Sequence, residues 1–150
     1  VLSTLHTNTA VGAITRLQDM GVEPFLLSSS IIGVLAQRLV RVLCEHCKEQ
    51  HVASEAELAL LNMAHSNKEV QIYRAKGCDH CNHSGYRGRT GIYEMIQITD
   101  ALRLMIHEGA GEHQLLSEAR QHTAGIVDDG RRRVLAGETT VEEVLRVTAS

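Results

Sequence analysis

The sequence predicts a mixed α/β fold with a four-cysteine insert between two of its strands and a helical bundle at its C-terminal end. Three observations predict it. Stretches of strand-like pattern flank a segment holding two C-x2-C pairs, at Cys44/Cys47 and Cys78/Cys81. Apolar residues recur at helical spacing before the insert and again after residue 99. The hydrophobic fraction is 43% and the charged fraction 22%, which is the balance of a soluble globular chain. At 150 residues there is room for one ordinary domain or two small subdomains, and for a core that needs no disulfides.

Each element has a local reason. Val1 to Leu5 is apolar and reads as the end of a buried strand; with no initiator Met, the sequence reads as opening inside that strand. Asn8 or Thr9 can cap a helix over 10–20, with Ala10, Ile14 and Leu17 on one face and Gly21 as the stop. Pro24 suits the first position of a second helical stretch, 24–32. Val34 to Leu43 alternates, with Arg38 and Arg41 set among apolar neighbours, and reads as a strand. Within the insert, Ser54-x-x-Glu57 is a capping box opening a short helix over Leu58 and Leu61. Val70 to Tyr73 reads as a short strand. Gly85 to Gly91 reads as a turn-rich basic loop leading into a strand over 92–96. The rest is helical: Thr99 or Asp100 caps 100–108, ended by Gly109; 112–122 carries Leu115, Leu116 and Ala119 on one face; 125–136 ends at Gly137. Thr140-x-x-Glu143 is a second capping box, opening a last helix over Val144 and Leu145. The two strands flanking the insert are expected to pair, because joining the cysteine pairs brings their ends together.

The cysteines carry the clearest chemistry. A pair two residues apart presents both sulfurs from one tight turn, and two such pairs, here 30 residues apart, complete a tetrahedral S4 site suited to Zn2+ or iron. Four thiolates leave no open position, so one structural zinc per chain is expected and not a catalytic one. Two disulfides would need an oxidising compartment, which nothing in the sequence signals. His46, His80 and His83 lie among the cysteines and are expected to be solvated, since four sulfurs already satisfy the coordination.

Composition excludes several functions. Lys+Arg 15 against Asp+Glu 18 gives −3 with nine His neutral, and there is one Phe, three Tyr and no Trp. Both argue against a nucleic-acid binder. No apolar run reaches about 18 residues, the length that spans a bilayer, and no signal peptide is visible. None of the three lysines follows a GxxxxG loop, so these 150 residues hold no P-loop. Arg131-Arg132-Arg133 points in different directions on a helix and reads as solvated. Asp128-Asp129 and Glu142-Glu143 fit first-turn helix-dipole chemistry. Ser3 and His6 lack the elbow motif and orienting acid of a nucleophilic pair.

Three segments together resemble one family. Val1-Leu2-Ser3-Thr4-Leu5-His6-Thr7-Asn8 is similar to the His box of the secretion ATPases. Gln37-Arg38-Leu39-Val40-Arg41-Val42-Leu43-Cys44, with the tetracysteine insert, resembles their metal subdomain. Gly85 to Glu94 and the ending Leu135 to Arg146 resemble their C-terminal subdomain. The resemblance covers essentially the whole chain and is to the C-terminal part of the GspE family of type II secretion ATPases. Type IV pilus assembly ATPases are the near alternative, and retraction ATPases typically lack the insert. A stand-alone zinc-dependent interaction module is the reading from outside the family; an apolar opening strand would leave such a module a raw edge.

The resemblance implies the C-terminal piece of a RecA-like nucleotide-binding domain with a tetracysteine zinc insert and a C-terminal helical subdomain. It implies 1–43 as the end of the RecA-like core, 44–83 as the zinc insert, 84–98 as the returning strand of the core and 99–150 as the helical subdomain. It implies a hexameric ring of the chain's own subunits that hydrolyses ATP with Mg2+. That ring would dock on inner-membrane platform proteins at the cytoplasmic face, with no specific nucleic acid. The Walker A loop would lie before Val1, so this chain alone is expected to be inactive and not to bind ATP tightly. His6 is implied as a sensor of the γ-phosphate. Arg16, Arg38, Arg41 and Arg89, with Arg87, are implied as arginines facing nucleotide or a neighbouring subunit. Cys44, Cys47, Cys78 and Cys81 are the metal ligands.

Overall fold

A computed structural model describes residues 1–149. In chain order its elements are α1 (Ala10–Asp19), α2 (Pro24–Ser30), β1 (Gly33–Leu43), β2 (Glu49–Val52), α3 (Glu55–Leu60), β3 (Gln71–Arg74), a 3-10 turn (Asp79–Cys81), β4 (Tyr86–Gln97), α4 (Asp100–His107), α5 (Glu112–Ala119), α6 (Ile126–Leu135) and α7 (Val141–Thr148). β1 pairs with β4 in one two-stranded sheet, and β2 with β3 in another. The chain divides into two units, Val1–Ala36 with Glu94–Gly125 and Gln37–Tyr93 with Ile126–Ser150.

In the first unit the helix starts follow their caps. The Thr9 hydroxyl accepts the Gly12 N–H at 2.9 Å and opens α1. Pro24 opens α2 at its first position. The Thr99 hydroxyl accepts the Leu102 N–H and opens α4. The core gathers Ala10, Val11 and Ile14 of α1, Leu27 of α2, Ile96 and Ile98 at the end of β4, Leu102 and Ile106 of α4, and Leu115 and Ala119 of α5. Burial of these side chains against one another, at about 1.5–3 kcal/mol for each large aliphatic group, holds four short helices that would be marginal alone.

One expectation fails in this unit. Val1 to Leu5 is not a strand: Val1 and Leu2 are fully exposed. A strand must spend its backbone N–H and C=O groups on neighbours. Among the described residues neither sheet places a strand beside it.

The second unit is built on its two sheets. β2 and β3 run antiparallel, Glu49 opposite Arg74 through Val52 opposite Gln71. β2 escapes sequence inspection because Glu49-Gln50-His51-Val52 has no strand propensity of its own. It is held by its partner and by the Arg74–Glu49 ion pair at 3.0 Å. The Ser54/Glu57 capping box forms as expected and starts α3. Val40, Ala53, Leu61, Ile72, Ile92, Val134, Val141 and Val144 make the core.

Two further expectations are corrected here. The basic stretch 85–91 is strand from Tyr86 onward, because pairing with β1 supplies a ladder that glycine-rich sequence does not ask for by itself. A Cβ on Gly91 would lie 2.4 Å from the Tyr93 hydroxyl, so a side chain there would displace the exposed Tyr93 ring. The capping box at α7 is half made. Thr140 accepts the Glu143 N–H at 3.2 Å, but the Glu143 carboxylate turns away to Arg41 and Arg146.

Candidate functional site

The two C-x2-C pairs sit on two turns in the second unit. Cys44 closes β1, and its carbonyl accepts the N–H groups of Cys47 and Lys48 at 3.2 and 3.0 Å, which folds the first pair into a tight turn. Cys78 precedes the 3-10 turn that ends in Cys81. Gly77 before it has φ +107, and a Cβ on Gly77 would lie 2.7 Å from the His83 carbonyl oxygen. Only glycine lets the chain enter and leave this turn so closely.

The four sulfurs converge. Cys44 and Cys78 are 3.9 Å apart, Cys47 and Cys81 3.9 Å, and Cys78 and Cys81 3.8 Å; all four lie within 4.8 Å of one another. A disulfide needs about 2.05 Å, and all four thiols are free. A tetrahedral cation with bonds of about 2.3 Å sets its sulfurs about 3.8 Å apart. The donor set therefore fits a soft, four-coordinate metal ion such as zinc. Backbone donors complete it: Gly77 gives its N–H to Cys47 at 3.3 Å, and Cys78 and Gly85 give theirs to Cys81 at 3.2 Å. The cluster splits the thiols. Burial opposes ionisation of Cys81, but those N–H groups and the neighbouring thiols outweigh it and bring the group down to about 6. Burial pushes Cys78 up to about 11.

The nearby histidines stay outside this cluster. His46 and His80 are exposed and stack on each other with centroids 4.0 Å apart. His83 pairs with Asp79 at 3.0 Å on the surface. Among the described residues, the four cysteines form the metal-competent group.

The other predicted residues are scattered. His6 is exposed in the N-terminal segment. Arg16 lies on α1 and lines a shallow polar cleft of about 210 Å3 in the first unit, with Thr7, Asn8, Thr15, Asp19 and Glu112. The segment after His6 and Arg16 thus share one cleft. Glu112, not anticipated from sequence, accepts the Thr9 hydroxyl at 2.7 Å. Arg87 and Arg89 are exposed at the start of β4. Arg38 is half-buried on β1 and donates to the Gln37 carbonyl at 3.0 Å. Arg41 is engaged within its own unit: it grips Glu143 at 2.8 and 3.0 Å and lies 4.2 Å over the Tyr86 ring. The triple arginine is no single patch: Arg131 pairs with Asp128, Arg132 with Asp129 and Arg133 with Glu138.

Glu143 is the residue whose importance the sequence hides. It is 2% exposed and takes bonds from Arg41 and Arg146. Burial opposes its ionisation, but the two guanidinium groups prevail and hold it down at about 2.

Comparison with known proteins gives the chain its relatives. Residues 1–146 match the family described as type II/IV secretion system protein. The chain is 60% identical over 148 residues to the type II secretion system protein E of Pseudomonas aeruginosa, covering 99% of this chain and 29% of that protein. It is 55% identical, with the same coverage, to the type II secretion system ATPase E of Vibrio cholerae. It is 45% identical to the putative type II secretion system protein E of Escherichia coli, over 100% of this chain and 30% of that protein. The chain thus spans less than a third of the length of these curated relatives.

Proposed function

The chain belongs to the type II/IV secretion system protein family, and from that premise we propose that it is the C-terminal region of the cytoplasmic hexameric ATPase that powers type II protein secretion. The observation that carries this reading is identity of 55% to a type II secretion system ATPase over 99% of the chain. In this reading 1–43 is the end of a RecA-like core, 44–83 its zinc insert, 84–98 the returning strand and 99–150 a helical subdomain. ATP and Mg2+ belong to the longer protein, whose phosphate loop is not among these 150 residues. Neighbouring subunits of the ring and inner-membrane platform proteins are its partners. No helix among the described residues is long and apolar enough to cross a membrane.

Zinc is held by Cys44, Cys47, Cys78 and Cys81. When bound, it supplies a cross-link and no reactive position, because four thiolates close its coordination. His6 acts as a polar sensor at the γ-phosphate, where an imidazole can donate or accept as the phosphate changes. Arg16, which lines the first unit's cleft, and Arg89, which is exposed, are proposed to reach nucleotide or a neighbouring subunit. Arg38 is a lesser candidate, and Arg41 would have to leave Glu143 to serve.

The test is made in the longer protein. His6→Ala is expected to lower kcat for ATP about a hundredfold, the scale of losing one aligned transition-state donor, while zinc content stays at one per chain. Unchanged hydrolysis by that variant would remove His6 from the mechanism. Secretion restored by a chain lacking the upstream region would overturn the motor reading altogether.

A further inference from the structure

We infer that Glu143, seconded by Thr139, is a positioning residue of the metal centre, clamping the two strands that deliver the cysteine pairs. The inference rests on reading the thiol cluster as a zinc site.

Among the described residues β1 has β4 on one side only, so the backbone groups on its other edge need partners. At its last residues before Cys44 they find them in the connector between α6 and α7 and in the first turn of α7. The Leu43 N–H donates to the Glu138 carbonyl at 2.8 Å. The Thr139 hydroxyl donates to the Arg41 carbonyl at 2.7 Å. The Arg41 N–H donates to the Glu143 carboxylate at 2.7 Å, and its guanidinium returns to the other oxygen of that carboxylate. One backbone carbonyl and two side chains here do what a third strand would do, up to the residue before the first ligand.

The same connector reaches the second pair. The Tyr86 hydroxyl shares a 2.9 Å hydrogen bond with Thr140, and the Tyr86 ring lies beneath Arg41. Tyr86 follows Gly85, whose N–H donates to the Cys81 sulfur and whose carbonyl accepts the Cys44 N–H at 2.9 Å. Glu143 therefore holds Arg41, Arg41 covers Tyr86, and the two strand ends are fixed at the spacing that four sulfurs require. Groups that orient metal ligands tune metal affinity, and Glu143 does so here through Arg41 and Tyr86.

The test uses this 150-residue chain and zinc itself. Zinc affinity is measured by chelator competition for the parent chain and for Glu143→Gln, Thr139→Val and, as a control in the same core, Val134→Ala. The ligand-field spectrum of the Co2+-loaded chain reports the geometry of the sulfurs. The expected result is zinc bound about ten- to a hundredfold more weakly by Glu143→Gln, less weakly by Thr139→Val, and a Co2+ spectrum altered in both. Val134→Ala should lose stability with its spectrum intact. If Glu143→Gln does not fold, the Thr139→Val affinity and spectrum decide. Parental affinity and spectrum in folded Glu143→Gln would overturn the inference while leaving the zinc centre standing. A parent chain that takes up no zinc would overturn the centre, and the inference with it.

Discussion

Glu143 keeps its charge where water barely reaches it, and two guanidinium groups are the reason. Its carboxyl sits at about 2 against an ordinary value of 4.5. A group whose native value is depressed stabilises the fold above its unfolded value, and that contribution is lost as pH falls through the native value. The Glu143 contribution should thus be complete above about pH 4.5 and fade toward pH 2. An NMR titration of its side-chain carboxyl carbon should show a midpoint far below 4.5; a midpoint at or above that value would contradict the buried pairing. Gly130 makes a second residue-scale prediction. A helix-interior glycine normally costs about 1 kcal/mol relative to alanine, so Gly130→Ala would stabilise α6 on propensity alone. A Cβ there would lie 2.5 Å from a Val144 methyl, so the overpacking cost of about 1–3 kcal/mol should win. The expected urea midpoint is lower for Gly130→Ala in the parent, and that loss shrinks or vanishes when the same substitution is made in a Val144→Ala background.

At the scale of elements, the insert depends on its cross-link. The segment between the cysteine pairs holds a four-residue hairpin pair and a six-residue helix, and α3 buries no residue of its own. The segment reaches the core through Ala53, Leu61 and Ile72, and closing the loop at its two ends adds to that hold. Removing metal with a chelator should raise hydrogen exchange across β2, β3 and both cysteine turns, while α1 and α4 in the other unit keep their protection. Equal exchange with and without chelator would contradict this. What sequence alone reveals follows the same logic. Thr9, Ser54 and Thr99 announce their helices because a cap acts within a single turn, and Cys44 to Cys81 announce a site because ligand spacing is local. β2 and the strand character of 86–91 are hidden, because partners far along the chain impose them. Glu143 is hidden too: a Thr-x-x-Glu pattern reads as a cap, and nothing local shows Arg41 claiming the carboxylate from 102 residues away.

For the whole molecule, the family places the chain and the thiol cluster gives that placement a chemical consequence. The mixed α/β content and the converging cysteines match what the motifs imply. The division of labour among His6, Arg16 and Arg89 is a proposal for the longer protein. Native mass spectrometry of the 150-residue chain, purified without chelator and paired with thiol counting, reads the metal centre itself. The expected result is one zinc per chain and four thiols shielded from alkylation until the metal is removed. A metal-free chain with four freely reactive or oxidised thiols would contradict it.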